Sequence, residues 1–406
     1  MQLNKFIFAC GLIILSIFQL DAQIPDKKIA GISTDRLKRY ENFIKAEIDQ
    51  NKIPGAVSLI IRNGTLVHKG SYGYNNVASK TPMKADDIFF IQSMTKPIIS
   101  VAFLMLYEEG HFFLTDPVSK YIPAFKDLRV IKSEKDASET EPLKKEITIA
   151  HLLTHTSGLT HGLGQSQLDQ DFMKEYFMKS WPDIRSRVAN IIKFPLVGQP
   201  GNQWYYSAAP DVLSVLIEQF SGMSTQKFLD ERIFKPLGMK DTGYNLTKAQ
   251  QSRVVKVHSK NTDGVHSLSE YQPPMEGNTV WSGVNGLYST AQDYMNFCQM
   301  LLNDGRLNGK QYLSRKTIEL MTYNHVGKLF PGPGQGFGLG FAVITDVAES
   351  KLLGSPGIFS WAGAYNTHFF IDPKEKLVSI FMTHEEPFTS FYHDKMKQLV
   401  YQAIID

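Results

Sequence analysis

The chain has 406 residues but two cysteines, Cys10 and Cys298. Cys10 lies in an apolar run at the start, so Cys298 stands alone and no intramolecular disulfide forms. After residue 20 no segment reaches eighteen consecutive apolar residues, which excludes an ordinary membrane span in the body of the chain. Charge of one sign is also lacking. A net charge of +3 makes no case for nucleic acid or an anionic membrane surface. There is no internal repeat and no low-complexity block. No Gly-x-Ser-x-Gly occurs, which speaks against an α/β-hydrolase elbow. The glycines from Gly332 to Gly340 never space as Gly-x-Gly-x-x-Gly, so they read as a flexible loop leading into a strand at Phe341. His151 and His155 are four apart, but no Glu completes His-Glu-x-x-His and no third ligand is evident. A helix end at Ser157-Gly158 is the better reading there, and no metal or cofactor is implied.

What is present begins with a leader. Residues 1–23 carry one basic residue, Lys5, an apolar run from Phe6 to Leu20, and Ala22 before Gln23. This pattern predicts a secretory signal cleaved near Ala22, with an uncleaved anchor as the alternative. The mature chain is expected to be exported, to periplasm or medium. With no disulfide it must rely on its core, and it is long enough to bury one.

The most informative motif is Ser93-Met94-Thr95-Lys96, between the apolar run Ile88–Ile91 and the apolar stretch Ile98 to Tyr107. Residues i and i+3 share a helix face, which brings the hydroxyl and the amine together. A serine hydroxyl is a weak nucleophile until a base takes its proton, and an amine lowered by burial can do so. The chain holds a second copy, Ser224-Thr225-Gln226-Lys227, where Ser224 reads as an N-cap. In Trp204-Tyr205-Tyr206-Ser207-Ala208, Tyr206 reads either as a packed core tyrosine or as a phenol whose proton a neighbouring lysine loosens. In Trp361-Ala362-Gly363-Ala364-Tyr365, the small residues suit either a tight turn or a backbone that binds an oxyanion.

The periodicity predicts a helix over 34–51, a hairpin at Asn63-Gly64, and a helix from Ser93 to about Glu109. Helical patches are predicted near 149–155, 184–193, 210–220 and 225–234. The charged stretch from Lys132 to Lys145 reads as a solvated loop. A helix over 290–302, strands at 340–343, 367–371 and 377–382, and a helix at 393–404 complete the reading. The fold class is α/β, with one lobe from about 24–115 and 276–406 and a mostly helical lobe from about 116–275.

In order along the chain stand Gly55-Ala56-Val57, Ser93-Met94-Thr95-Lys96, Leu114-Thr115-Asp116-Pro117-Val118, His155-Thr156-Ser157-Gly158-Leu159, Tyr206-Ser207, Pro236-Leu237-Gly238-Met239, Gly286-Leu287-Tyr288-Ser289-Thr290, Gly338-Leu339-Gly340 and Trp361-Ala362-Gly363. This ordered set, over roughly residues 34–400, resembles the serine β-lactamase and penicillin-binding-protein superfamily, in its class C-like branch. The resemblance implies a β-lactamase-like fold: an antiparallel sheet flanked by helices, with an inserted helical lobe. It implies Ser93 as acylated nucleophile, Lys96 as its proton acceptor, and Tyr206 as the proton-shuttling tyrosine of a Tyr-x-Asn element. It further implies an oxyanion hole from the backbone amides of Ser93 and Ala364, with Trp361 and Gly363 against the substrate.

Two positions depart from the pattern. Ala208 stands where the family has asparagine, and Trp361 where its Lys-Thr-Gly has lysine. An uncharged indole cannot hold a substrate carboxylate as a lysine does. A similar Trp-x-Gly is seen in family VIII carboxylesterases. The expected activity is therefore hydrolysis of small-molecule esters or amides, most like an esterase, with lactamase or D-amino-acid peptidase activity as the alternative. Acyl transfer to an alcohol or amine would use the same residues. A silent cell-wall-binding protein is the reading from another class, and oligomeric state is open.

Overall fold

The computed structural model describes residues 27–406 apart from 134–135 and 263. The predicted leader lies outside the described residues. Helix α1 (Thr34–Asp49) carries Leu37, Tyr40 and Ile44 on one buried face, and Ser33 Oγ caps it by accepting from the Arg36 amide at 3.2 Å. Strand β1 (Gly55–Arg62) turns at Asn63-Gly64 into β2 (Thr65–Asn76). Both turn residues have positive φ, 52° and 73°, as a two-residue hairpin turn that matches strand twist requires.

The main sheet has eight strands. Beyond β1 and β2 they are β3 (Thr81–Pro82), β4 (Gln335–Phe337), β5 (Ala342–Ile344), β6 (Phe359–Gly363), β7 (Thr367–Asp372) and β8 (Leu377–Met382), in the order β4-β5-β6-β7-β8-β1-β2-β3 and antiparallel throughout. The junction of β8 with β1, from Leu377 opposite Arg62 to Met382 opposite Val57, joins the two ends of the chain. Every residue of β1 is buried, because both sheet faces are covered. Ala56, Ile60, Phe370 and Phe381 pack with α1 and with the C-terminal helix α5 (Phe391–Tyr401). Val57, Leu59, Phe369 and Ile380 face the other way, into the larger core.

That core is built around helix α2 (Thr95–Glu108), whose residues from Thr95 to Leu106 are all buried. A helix apolar on every side has to be enclosed. It packs on α3 (Ala209–Ser221), and α4 (Ala291–Leu302) lies on β1 and β8. The helices of 149–153, 184–191 and 225–229 complete the helical side.

Several expectations need correction. The charged stretch is not a loop: Arg129–Ser133 pairs antiparallel with Asp136–Pro142 as a ribbon that buries Val130 and Ile131. The glycine-rich loop contains β4, and Trp361 to Gly363 form the end of β6, just before β7. Small residues give weak strand signals, and pairing with β7 overrides them. Among the described residues no helix is long and apolar enough to cross a membrane.

Candidate active site

The Ser93 turn is clamped from three sides. Ile88–Phe90 pairs antiparallel with Tyr288–Thr290, and the Ile91 amide donates to Leu287 O at 2.9 Å. Tyr294 Oη donates to Met94 O at 3.0 Å. Gln92 is held at φ 47°, a left-handed conformation that costs a non-glycine residue free energy and recurs at functional sites. Ser93 lies on a 3₁₀ turn, Gln92–Met94, and α2 begins at Thr95. The predicted contact is kept, because residues i and i+3 eclipse in a 3₁₀ turn. Lys96 Nζ stands 3.1 Å from Ser93 Oγ and donates to Val284 O at 3.0 Å.

Lys96 is 2 % exposed. Burial holds its amine well below the usual lysine range, with Asp211 pulling weakly the other way. A neutral amine has a lone pair for the serine proton. The second Ser-x-x-Lys behaves differently: Ser224 Oγ caps its helix by accepting from the Lys227 amide at 3.3 Å, and the Lys227 side chain is exposed.

Tyr206 comes from a segment tied to the 155–160 loop. Tyr205 N donates to His155 O at 2.9 Å, Ala208 N to Thr160 O at 2.9 Å, and Ser207 N to His155 Nδ1 at 3.2 Å. His155, at φ 55°, thus organises the tyrosine segment. The His161 ring stacks on Tyr206 at 4.9 Å and 6°. Burial holds both imidazoles well below their usual range, so both are neutral. Lys96 Nζ lies over the Tyr206 ring, 4.4 Å from its centroid. Burial raises the phenol pKa well above 10, and the nearby Ser93 and Trp361 only partly oppose it. Neither contact closes into a well-aligned hydrogen bond, and Trp361 Nε1 is likewise unpaired. Burial of the phenol is thus the largest influence on its proton.

Strand β6 ends beside the nucleophile. A Cβ on Gly363 would collide with Ile91 O and Thr367 Oγ1, so only glycine lets the strand end approach the Ser93 turn. Ser93, Tyr206, Trp361 and Ala364 all line one pocket of about 610 Å³. Leu163, Trp204 and Phe388 make its other walls largely apolar, and Glu386 is the one acidic residue in the lining. Sequence reasoning found Ser93, Lys96 and Tyr206. It missed the Val284 carbonyl and Asp211, which accepts from Tyr176 Oη at 2.8 Å, Ser282 Oγ at 2.6 Å and Val284 N at 3.2 Å. Backbone acceptors leave no sequence signal. Asp211 gave one, as a carboxylate on a buried helix face.

A serine and a buried lysine one turn apart, beside a tyrosine and a close-packed strand end, define a serine hydrolase site on an α/β scaffold. The chain belongs to the Beta-lactamase family, whose profile matches residues 40–402. An uncharacterized protein of Mycobacterium tuberculosis is 32% identical over 360 residues, covering 85% of this chain and 89% of its own. Esterase EstB of Burkholderia gladioli is 28% identical over 357 residues, covering 82% and 86%. The structure of EstCE1, described as a hydrolase with promiscuous acyltransferase activity, superposes with a TM-score of 0.79 at 24% identity, covering 91% of this chain and 99% of its own. The fold is that of the serine β-lactamase-like enzymes, and the chain is a serine hydrolase.

Proposed function

We propose that the protein is an exported esterase that works through an acyl-enzyme on Ser93. The observation that carries this reading is the 3.1 Å contact between Ser93 Oγ and the amine of a buried lysine, Lys96, whose pKa burial lowers. Lys96 Nζ takes the hydroxyl proton as Oγ bonds to the substrate carbonyl carbon. The carbonyl oxygen becomes an oxyanion, held by the amides of Ser93 and Ala364. As the ester bond breaks, Tyr206 gives its proton to the departing alkoxide and recovers one from the Lys96 ammonium. Water then repeats the sequence at the acyl-enzyme, and the acid leaves.

The substrate side of the argument is electrostatic. Trp361 stands where a lysine would hold a lactam carboxylate, and the aromatic pocket offers no cation at its surface. A neutral, apolar ester fits it better. A second reading has one observation in its favour: so apolar a pocket suits a bulky alcohol as acyl acceptor in place of water, giving acyl transfer. Export rests on the leader over residues 1–23.

The test is turnover of a chromogenic short-chain ester and a chromogenic cephalosporin by the mature protein and by Ser93→Ala. Ester turnover that disappears in the variant, with little cephalosporin turnover, is expected. Dominant cephalosporin turnover would replace the esterase reading with a lactamase one. No turnover of either, and no acyl adduct on Ser93 by intact mass, would point to a binding protein.

A further inference from the structure

A second pocket, of about 230 Å³, opens beside the nucleophile turn. Its lining is polar where the first is apolar: Gln92, Arg187, Tyr271, Asn278, Ser282 and Asn285. The two pockets meet at Gln92. This residue lines the polar pocket, while Ser93, next to it in the chain, lines the aromatic one. A carbonyl carbon bonded to Ser93 carries two substituents beyond its oxygen, and each needs a direction. Tyr206 lines only the aromatic pocket, so the proton it delivers meets a leaving group there. The acyl chain then lies toward the polar pocket.

Arg187 is the unusual element of that pocket. It is 7 % exposed, and its guanidinium lies 4.6 Å from the ring centroids of both Tyr176 and Phe177. Its Nε is 3.4 Å from Asp211 Oδ2, yet neither Nε nor Nη2 completes a hydrogen bond. A buried guanidinium is costly unless its N–H groups find acceptors, and with Nε and Nη2 enclosed, only the edge of Arg187 that lines the pocket is left to meet one. Asp211 already balances its charge, so a further carboxylate would be uncompensated. A neutral oxygen acceptor would not be.

We propose that the Arg187 pocket is the acyl subsite, and that it selects acyl chains carrying a neutral carbonyl oxygen, as in keto-acyl or acylamino-acyl esters. This rests on the esterase reading above and names the substrate class for the same site. The asparagine and glutamine amides around Arg187 supply the remaining donors.

The test compares three 4-nitrophenyl esters of similar length: pentanoate, 4-oxopentanoate and hydrogen succinate. The wild-type kcat/KM is expected to favour 4-oxopentanoate over pentanoate about tenfold, the effect of one hydrogen bond to a charged donor. Arg187→Met and, separately, Asn285→Ala are expected to bring that ratio to within about threefold. Asn285→Ala disturbs no side-chain bond to Asp211 and keeps the question decidable if Arg187→Met does not fold. Ser93-dependent turnover with a wild-type ratio near one, a ratio unmoved by the variants, or a preference for succinate would overturn the proposal while leaving the esterase reading intact. Absence of Ser93-dependent turnover of all three would remove both.

Discussion

Acid should destabilise this protein well above the usual carboxylate range, because several imidazoles are buried in neutral form. Burial pulls His258 and His384 down to about 4 and His368 to about 3. All three residues are at most 1 % exposed. In the unfolded chain each titrates near 6.5. Between pH 6.5 and about 4 the unfolded state thus binds protons that the native state refuses, so stability falls as pH falls. At pH 5 each histidine costs about 2 kcal/mol relative to pH 7, and the three together cost about 6 kcal/mol. Asp293 works in the opposite direction. Burial pushes its carboxyl up to about 6, so the native state gains a proton first and recovers about 1 kcal/mol at pH 5. The net loss of about 5 kcal/mol is comparable to the whole stability of an ordinary domain. Urea denaturation followed by tryptophan fluorescence at pH 7 and pH 5 measures it. His368 has no partner for either ring nitrogen, so His368→Leu should shrink the pH 7 to pH 5 difference by about 2 kcal/mol. Equal wild-type stability at the two pH values, or an unchanged difference in His368→Leu, would refute the reasoning.

Lys96→Met keeps the length and apolar stem of the side chain but removes the base; kcat/KM for a short-chain ester is expected to fall about 10²–10⁴-fold, read by initial rates. Tyr206→Phe keeps the stack on His161 at 4.9 Å, so its melting temperature should stay near wild type while kcat drops about 10²–10⁴-fold. Gly363→Ala would drive a methyl group into Ile91 O and Thr367 Oγ1, displacing the Ala364 amide; kcat should fall more than KM rises, and a KM effect alone would argue against an oxyanion role.

Local signals were legible, and long-range ones were not. The hairpin at Asn63-Gly64 needs only a turn that tolerates positive φ, and its residues announce that. The Ser93–Lys96 contact spans three residues, so helical spacing predicts it even though the turn is 3₁₀. Tyr206 lies 113 positions beyond Ser93, and no spacing rule links them; the ordered set of motifs did. The Lys96 anchor is a carbonyl 188 residues away, a group every residue possesses. The ribbon from Arg129 to Pro142 was hidden because its side chains are those of a solvated loop, while its pairing is a backbone property. His155 was read for its spacing from His151 and as part of a motif, and His161 was not singled out; their packing against Tyr206 depends on the tertiary fold.

Ala208 looks like a loss beside the family's asparagine, but the surroundings of Lys96 suggest a different account. A neutral amine donates two hydrogens and accepts one. Here Val284 O accepts one hydrogen at 3.0 Å and Ser93 Oγ the other at 3.1 Å. An amide oxygen at position 208 would add an acceptor, and acceptors favour the ammonium form. A methyl group, fully buried, adds none and leaves desolvation to dominate. The resulting lysine is a weaker base that stays unprotonated at lower pH. That suits an ester, whose alkoxide departs with less help than an amide nitrogen, which must be protonated to leave. Ala208→Asn should therefore raise the lysine pKa and move the acid limb of the kcat/KM profile to higher pH, since activity needs the neutral amine. Position 208 is fully buried at the start of α3, so the profile is read alongside the melting temperature of the variant. An acid limb that stays in place or moves to lower pH would mean that Ala208 does not tune Lys96.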